Sequence, residues 1–209
     1  VLLYTNYFGL KDDYINTLNT KEFNLIVDNA QAFFAKPVED IDTFYSPRKF
    51  FGLSDGAYLY ASSLTDDNLD QDFSHNRFQH LIQRIDISPE KGYSLFKEND
   101  RILRNMSIRK MSRLTRQILK SIDYEIAAKR RLDNYTYLHK GLNRFNLLKL
   151  EVTSQYGPMV YPLLIKNGAK LREFLRSKKI CVAQYWQNEL IKCVSGSFED
   201  EISQNLVPL

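Results

Sequence analysis

The sequence predicts an α/β protein, and three observations support that prediction. Short apolar runs, several of them apolar on both faces, end in polar or glycine-containing turns, as buried strands of a sheet do. Longer stretches carry apolar residues at every third or fourth position, which is the period of an amphipathic helix. The composition is 44% hydrophobic with 13 Tyr and 13 Phe in 209 residues, so the chain can bury a sizeable core and is unlike a disordered segment.

The first third of the chain is predicted to contain most of a sheet. A helix is predicted over residues 11–18, where Tyr14, Ile15 and Leu18 recur at helical spacing. The short apolar runs on either side of this helix and further along indicate strands that suit a buried sheet. The predicted strands are residues 1–4, 23–27, 42–45 and 57–61.

The remaining chain is predicted to be mainly helical, with a strand-helix-strand unit near its end. Residues 78–85 have helical spacing, and Ser88-Pro89-Glu90 is typical of a helix entry. Apolar residues at three- and four-residue spacing from Met111 to Ile126 predict one long helix that Gly141 terminates. The final unit is predicted as strand 160–165, helix 169–177 and strand 180–185.

Charge and cysteine content argue against several classes of protein. The 29 basic and 25 acidic residues give a net charge of +4, too slight to indicate a nucleic-acid partner. No apolar run approaches the ~20 residues that span a bilayer, and the chain does not open on a signal-peptide pattern. Cys181 and Cys193 lack metal-ligand spacing and form no disulfide framework. We therefore expect a cytoplasmic protein that binds no metal, nucleic acid or membrane.

Two ionisable residues follow predicted strands and are candidates for chemistry. Asp28 stands at the carboxyl end of its strand, where α/β sheets bind ligands, although aspartates at such positions also serve as helix caps. Lys49 lies among aromatic residues, and desolvation of an ammonium lowers its pKa. A lowered pKa suits a Schiff-base lysine, because only the free amine attacks a carbonyl. The alternative for Lys49 is a lysine whose stem covers apolar surface while its ammonium stays in water.

Taken together, these residues have the arrangement of pyridoxal-phosphate enzymes with the aminotransferase fold. Asp28 would hold the proton on the pyridine nitrogen of pyridoxal 5'-phosphate, and Lys49 would bind its aldehyde. Ser46 and Arg48 would supply donors for the phosphate. Ala30 would leave room for the flat ring against the backbone.

The segments VLLYTNYFGL, LIVDNAQA and SPRKFFGLSDGAYL, in that order, resemble the DegT/StrS family of sugar-nucleotide aminotransferases. The resemblance extends more weakly over residues 111–138 and 158–186. It implies that Asp28 contacts the pyridinium, that Gln31 makes a polar contact beside the ring, and that Lys49 forms the internal aldimine and transfers protons. Asn6, at the end of the first predicted strand, would face the cofactor or else form a turn.

The sequence departs from the family pattern at two places. Phe44 stands where the family usually has a phosphate-binding serine, flanked here by Thr43 and Ser46. Ile108-Arg109-Lys110 replaces the Asn-x-Arg of a loop that reaches the partner subunit, so Arg109 or Lys110 is the candidate for a phosphate contact there. Family members generally form homodimers whose active sites share residues across the interface, and the same is expected of this chain.

The resemblance implies the C-terminal two-thirds of a type I aminotransferase fold, with the N-terminal third absent. The chain has no initiator Met and ends soon after an apolar run, so we expect a piece of a longer protein. The predicted regions are residues 1–75 as the remainder of the cofactor-binding large domain, 76–111 as a helical connection and 112–209 as a smaller α+β domain.

The function implied by the resemblance is transfer of an amino group from an amino acid to a keto sugar nucleotide, in amino-sugar biosynthesis for surface polysaccharide. A dehydratase on the same scaffold is a related option, which loss of the lysine would favour. The main alternative is a non-catalytic fragment or paralogue that keeps the fold for assembly. A nucleic-acid binder that uses the basic residues between Arg101 and Arg131 is a third hypothesis, and a solvated helix face explains those charges more simply.

Overall fold

A computed structural model describes residues 1–18, 23–63, 68–150, 156–185 and 193–209. The chain is mixed α/β, which confirms the predicted class at that level. It divides into two compact units, Val1–Ala127 and Ala128–Leu209. The boundary between the units follows Ala127, whereas the sequence predicted the smaller domain to begin at residue 112. The prediction that the first region is a cofactor-binding domain stays a prediction.

The first unit contains a four-stranded mixed sheet with the strand order β1-β2-β3-β4. The first three strands are parallel to one another, and β4 is antiparallel to β3. All four strands lie within two residues of their predicted bounds, and the bounds of β3 coincide with the prediction. The strands are β1 Leu2–Thr5, β2 Leu25–Asn29, β3 Asp42–Tyr45 and β4 Tyr58–Tyr60.

One face of this sheet is buried against the short helix α1, Asp12–Ile15. Leu25 and Val27 on β2 pack with Ile15 in a core cluster. Burial alternates along β2 because successive side chains of a strand point to opposite faces. Asp28 consequently lies on the face opposite Val27 and is only half-buried.

Three helices follow in the first unit: α2 Gln79–Asp86, α3 Pro89–Asn105 and α4 Arg113–Lys120. The predicted entry at Ser88-Pro89-Glu90 is confirmed, because the Ser88 side chain accepts a hydrogen bond from the Lys91 N–H and Pro89 begins the helix. Ser112 caps α4 in the same way by accepting from the Thr115 N–H.

The predicted single helix between Met111 and Gly141 is wrong, because the chain forms α4 and then α5, Tyr124–Leu142. The Asp123 carboxylate accepts from the Ile126 N–H at 2.9 Å, as an N-cap does at the start of a new helix. Gly141 does not terminate α5, which continues to Leu142. Apolar residues keep the same spacing through the break, so periodicity alone does not reveal it.

The second unit contains a two-stranded antiparallel sheet of β5 Pro162–Leu164 and β6 Leu206–Pro208. It also holds α6 Gly168–Ser177 and α7 Phe198–Asn205. The predicted strand at residues 180–185 is wrong, since these residues adopt no regular structure. The described pairing of β5 is instead made by β6, and two backbone hydrogen bonds between Tyr161 and Leu209 extend it.

The buried Arg172 side chain joins α6 by hydrogen bonds to the residues between α7 and β6. It donates to the carbonyl oxygen of Leu206 at 2.7 Å and to that of Gln204 at 2.8 Å. These bonds satisfy carbonyl groups at the end of α7 that have no partner within the helix. None of the helices in the described ranges is long and apolar enough to cross a membrane.

Candidate active site

The sheet brings four of the predicted site residues to one edge. Asn6 follows β1, Asp28 lies near the end of β2, and Ser46 and Lys49 follow β3. The three strands are parallel, and Asp28 stands between Thr5 of β1 and Phe44 of β3 in the register. This is the carboxyl edge of the sheet, where α/β proteins bind ligands.

Asp28 is held in a defined orientation by the turn that follows it. Its Oδ1 atom accepts a hydrogen bond from the Ala30 N–H at 2.8 Å. No hydrogen bond from a described residue is made to the other carboxylate oxygen. The arrangement leaves Asp28 one fixed oxygen and one that is available to a donor outside the protein.

Lys49 ends a single 3₁₀ turn, Pro47–Lys49, that directly follows β3. The Lys49 N–H donates to the Ser46 carbonyl at 3.2 Å, and the Phe51 N–H donates to the Pro47 carbonyl at 2.9 Å. Much of the Lys49 side chain is exposed, yet partial loss of water around its ammonium lowers its pKa. The carboxylate of Asp28 opposes this effect, and the neighbouring Arg48 adds to it.

Aromatic side chains pack the segment after Asp28 against the turn after Lys49. Phe33 lies 5.7 Å from Phe50 and 5.1 Å from Phe51 between ring centroids, the latter pair edge to face. Phe34 also contacts Phe50 edge to face at 5.7 Å. Such pairs favour one relative position of the two segments beyond their apolar burial, which restricts the position of Lys49 relative to Asp28.

Arg48 is half-buried and faces a different group of charges from Lys49. Desolvation lowers the pKa of Arg48, while Asp100 and Asp55 oppose that effect and Arg77 adds to it. Among the described residues no hydrogen bond or ion pair joins Arg48 to either carboxylate, so its role as a phosphate donor stays a prediction. Ser46, also half-buried, makes no side-chain capping bond in the turn.

Asp55 is a buried acid whose role was not predicted from the sequence. Its carboxylate accepts from the Ser112 N–H at 2.9 Å, from Ser112 Oγ at 3.0 Å and from Thr115 Oγ1. Asn99 on α3 donates a further hydrogen bond to the same loop, at the Ser54 carbonyl oxygen, at 2.9 Å. The Asp-Gly dipeptide at residues 55–56 signals a turn, but nothing local to it indicates a contact with a helix 57 residues away.

We expect Asp55→Asn to lower the free energy of unfolding by about 2 kcal/mol. The amide would present a donor where the carboxylate receives donors from Ser112 and Thr115, leaving buried polar groups unpaired. Urea unfolding followed by circular dichroism measures the change. Asp133→Asn is the control, because its ion pair with Lys129 is exposed and contributes less than ~1 kcal/mol. Equal midpoints for the two variants would contradict the role given to Asp55.

The structure places Asn6 inside the protein, where it stabilises the turn after β1. The Asn6 side chain has no exposed surface. Its Nδ2 donates to Asn29 Oδ1 at 3.0 Å and to Asp12, and its Oδ1 accepts from the Lys11 N–H at 3.3 Å. Of the two roles predicted for Asn6, this conformation supports the turn, and a ligand at the surface would not touch its side chain.

Gln31 is buried and Arg109 is exposed, and neither has a hydrogen bond to Asp28 or Lys49 within the described ranges. Gln31 is 5% exposed, and its Oε1 accepts from the Phe8 N–H at 3.4 Å. Arg109 is exposed in the segment between α3 and α4, and within the described ranges no hydrogen bond or ion pair joins it to the residues at the strand ends. The predicted contacts of both residues with a cofactor stay predictions.

Comparison with known proteins does not identify a family for this chain. No protein-family model matches it, and no curated protein matches its sequence. Among the described residues there is no group of three or more His, Cys, Asp and Glu that could hold a metal ion. The chemistry of the site therefore has to be inferred from Asp28, Lys49 and their surroundings.

Proposed function

We propose that this chain is part of a pyridoxal-phosphate-dependent aminotransferase, with the corresponding type I fold, in which Lys49 binds the cofactor. One observation carries the proposal: Asp28 and the partly desolvated Lys49 share the carboxyl edge of three parallel strands and interact electrostatically. The second carboxylate oxygen of Asp28 accepts no hydrogen bond from a described residue. Paired titratable groups whose environments shift a pKa are typical of catalytic sites.

The residues at this edge fit the cofactor's principal groups. Bound pyridoxal phosphate supplies an electron sink for reactions at an amino-bearing carbon. The second oxygen of Asp28 would accept the proton-bearing ring nitrogen, and Ser46 would donate its hydroxyl to the phosphate. Because Ala30 carries only a methyl group, it leaves the ring close access to the turn after Asp28.

Lys49 would have two tasks in this proposal: binding the cofactor needs its neutral amine, and proton transfer needs it to gain and lose a proton in turn. Its Nζ would hold the cofactor through the aldehyde group, and the same amine would serve as the general acid and base that moves a proton. Desolvation and Arg48 increase the fraction of neutral amine, whereas Asp28 limits that increase. The balance places the lysine nearer the pH at which proton transfer in both directions is efficient.

The proposed substrates are a keto sugar nucleotide and an amino acid that donates the amine, with the chain acting as a homodimer in the cytoplasm. These proposals are based on the resemblance of VLLYTNYFGL, LIVDNAQA and SPRKFFGLSDGAYL to the sugar-nucleotide aminotransferases. The dimer would bring Arg109 of one copy toward the phosphate site of the other.

A non-catalytic role in assembly is the second candidate, and one observation favours it. Asn6, one of the residues predicted to bind the cofactor, is fully buried. Ser46 and Arg48 are then the donors that remain for the phosphate among those predicted near Lys49. Weak retention of the cofactor would follow from so few donors.

Trapping of the cofactor on Lys49 tests the proposed function. The chain is incubated with pyridoxal phosphate, reduced with borohydride and digested, and the labelled peptide is mapped by mass spectrometry. We expect a yellow absorbance band that borohydride bleaches and a label on Lys49. Lys49→Arg is the matched control, because it keeps the positive charge and forms no such bond. Absence of the band, with label spread over exposed lysines such as Lys91 and Lys170, would favour the non-catalytic role.

A further inference from the structure

Strand β4 is an outer strand of the sheet in the first unit. It pairs with β3 on one side, and within the described ranges no backbone hydrogen bond joins its other side to another segment. Leu59 and Tyr60 on this strand are 58% and 51% exposed. Unpaired N–H and C=O groups beside exposed apolar side chains are a template on which another strand can pair.

Two hollows adjoin β4, and Pro37 and Tyr60 line both of them. The first, the aromatic hollow, has a volume of about 410 Å³. The second has a volume of about 480 Å³ and is also lined by Leu59. Each has room for a side chain of an added strand, since pockets of ~300 to 1,000 Å³ hold whole small molecules. The rings that line the aromatic hollow are those of Phe33, Phe34, Tyr45, Tyr58, Tyr60 and Tyr124.

The aromatic hollow is separate from the carboxylate of the candidate active site. In the register of the sheet, Leu59 stands opposite Phe44, and Phe44 stands opposite Asp28. These three residues therefore share one face of the sheet. Tyr58 and Tyr60 lie on the other face, because successive side chains of a strand alternate. A group bound in the aromatic hollow is thus on the opposite face from Asp28.

The second hollow carries negative charge. Glu39 and Asp40 line it, both are exposed, and within the described ranges neither forms an ion pair. No Lys or Arg is among the described residues that line either hollow. A second copy of β4 would not neutralise these carboxylates, because residues 56–62 carry no charged side chain. Charge complementarity therefore favours a partner with a basic residue.

We propose that β4 binds an extended segment of another polypeptide, which adds to the sheet with an apolar side chain in the aromatic hollow and a lysine or arginine beside Glu39 and Asp40. In such strand addition, main-chain hydrogen bonds supply the affinity and pockets for alternate side chains supply the specificity. Binding at β4 does not depend on cofactor chemistry at Lys49.

Three synthetic peptides test this interaction with the full chain. The probe is Lys-Thr-Val-Thr-Phe-Thr-Val-Thr-Lys with blocked ends, and its affinity is measured by fluorescence anisotropy. In one matched peptide glutamate replaces both lysines, and in the other alternate backbone nitrogens are methylated. We expect the probe to bind at least ~5-fold more tightly than the glutamate peptide. We expect it to bind ~10-fold more tightly than the methylated peptide, which lacks main-chain donors.

Variants of the chain locate the binding site. Glu39→Lys should reverse the preference between the lysine and glutamate peptides. Tyr60→Ser should weaken probe binding ~10-fold, and Tyr60→Phe should restore it. Leu3→Ser removes a similarly exposed apolar residue from β1 and should leave the affinity unchanged. The bound probe should also slow hydrogen exchange at the amides of β4.

Four results would overturn the proposal. Two of them are absence of probe binding and equal affinities for the lysine and glutamate peptides. Equal affinities for the probe and the methylated peptide would show binding in an apolar hollow without strand addition. Exchange at β4 that slows as the concentration of the chain alone rises would show that a second copy covers the edge. If Tyr60→Ser does not fold by circular dichroism, the reversal in Glu39→Lys decides.

Discussion

Lys49→Ala is expected to lower the rate of amino transfer from L-glutamate to bound pyridoxal phosphate by at least about a thousandfold. The substitution would remove both the amine proposed to bind the aldehyde and the base proposed to move the proton. Positioned proton transfer alone is worth ~10²- to 10⁴-fold. The change in cofactor absorbance after L-glutamate is added gives the rate. Because Lys49 is partly exposed, its truncation should change the unfolding midpoint only slightly.

A matched control separates this loss from a general effect of removing a lysine. Lys91→Ala removes another exposed lysine of the first unit and should retain the full rate. A small primary amine added to Lys49→Ala should recover part of the rate, since it replaces the missing base. A Lys49→Ala variant as active as Lys91→Ala would contradict the assignment of Lys49.

Gly168→Ala is expected to destabilise the second unit by about 3 kcal/mol. A Cβ at this position would overlap the carbonyl oxygen of Asn205 and lie 2.5 Å from its carbonyl carbon. Both atoms belong to the backbone, so α6 or the end of α7 would have to move. That movement would also strain the 3.0 Å bond from the Gly168 N–H to Asn205 Oδ1. Urea unfolding of the full chain, followed by circular dichroism, measures the loss.

Gly141→Ala provides the opposite case within the same unit. Apart from the helix's own backbone, no described heavy atom lies within 4 Å of a Cβ added there. Alanine has a higher helix propensity than glycine, so this variant should gain up to about 1 kcal/mol. Loss of stability in Gly141→Ala comparable with that in Gly168→Ala would show that steric overlap is not the cause.

The strands of the first unit were predictable because their signal is local. β2 and β3 are short apolar runs bounded by polar turns, and burial on alternate faces gives them a clear pattern. The break between α4 and α5 was not predictable in this way. It depends on one hydrogen bond, in which Asp123 caps α5, and the apolar residues keep their helical spacing across it. The strand assigned to residues 180–185 failed because the pairing of β5 with residues 206–208 is a long-range choice.

Part of the candidate site was also predictable from local sequence patterns, and part was not. Asp28 and Lys49 each stand at a strand end, so their positions follow from the two strands. Asn6 was harder to assign, because its burial depends on contacts with Asn29 and Asp12 across the turn. The hydrogen bonds that Asp55 accepts from Ser112 and Thr115 join two distant segments, and no local pattern contains that information.

The hydrogen bonds of Asp55 also have a consequence for how the protein opens. Since they join the loop after Lys49 to the first turn of α4, neither segment can unfold locally without exposing the buried groups of the other. The two therefore belong to one cooperative unit of opening. A molecule that binds at Lys49 and rigidifies its loop would also slow the fraying of a helix that it does not touch.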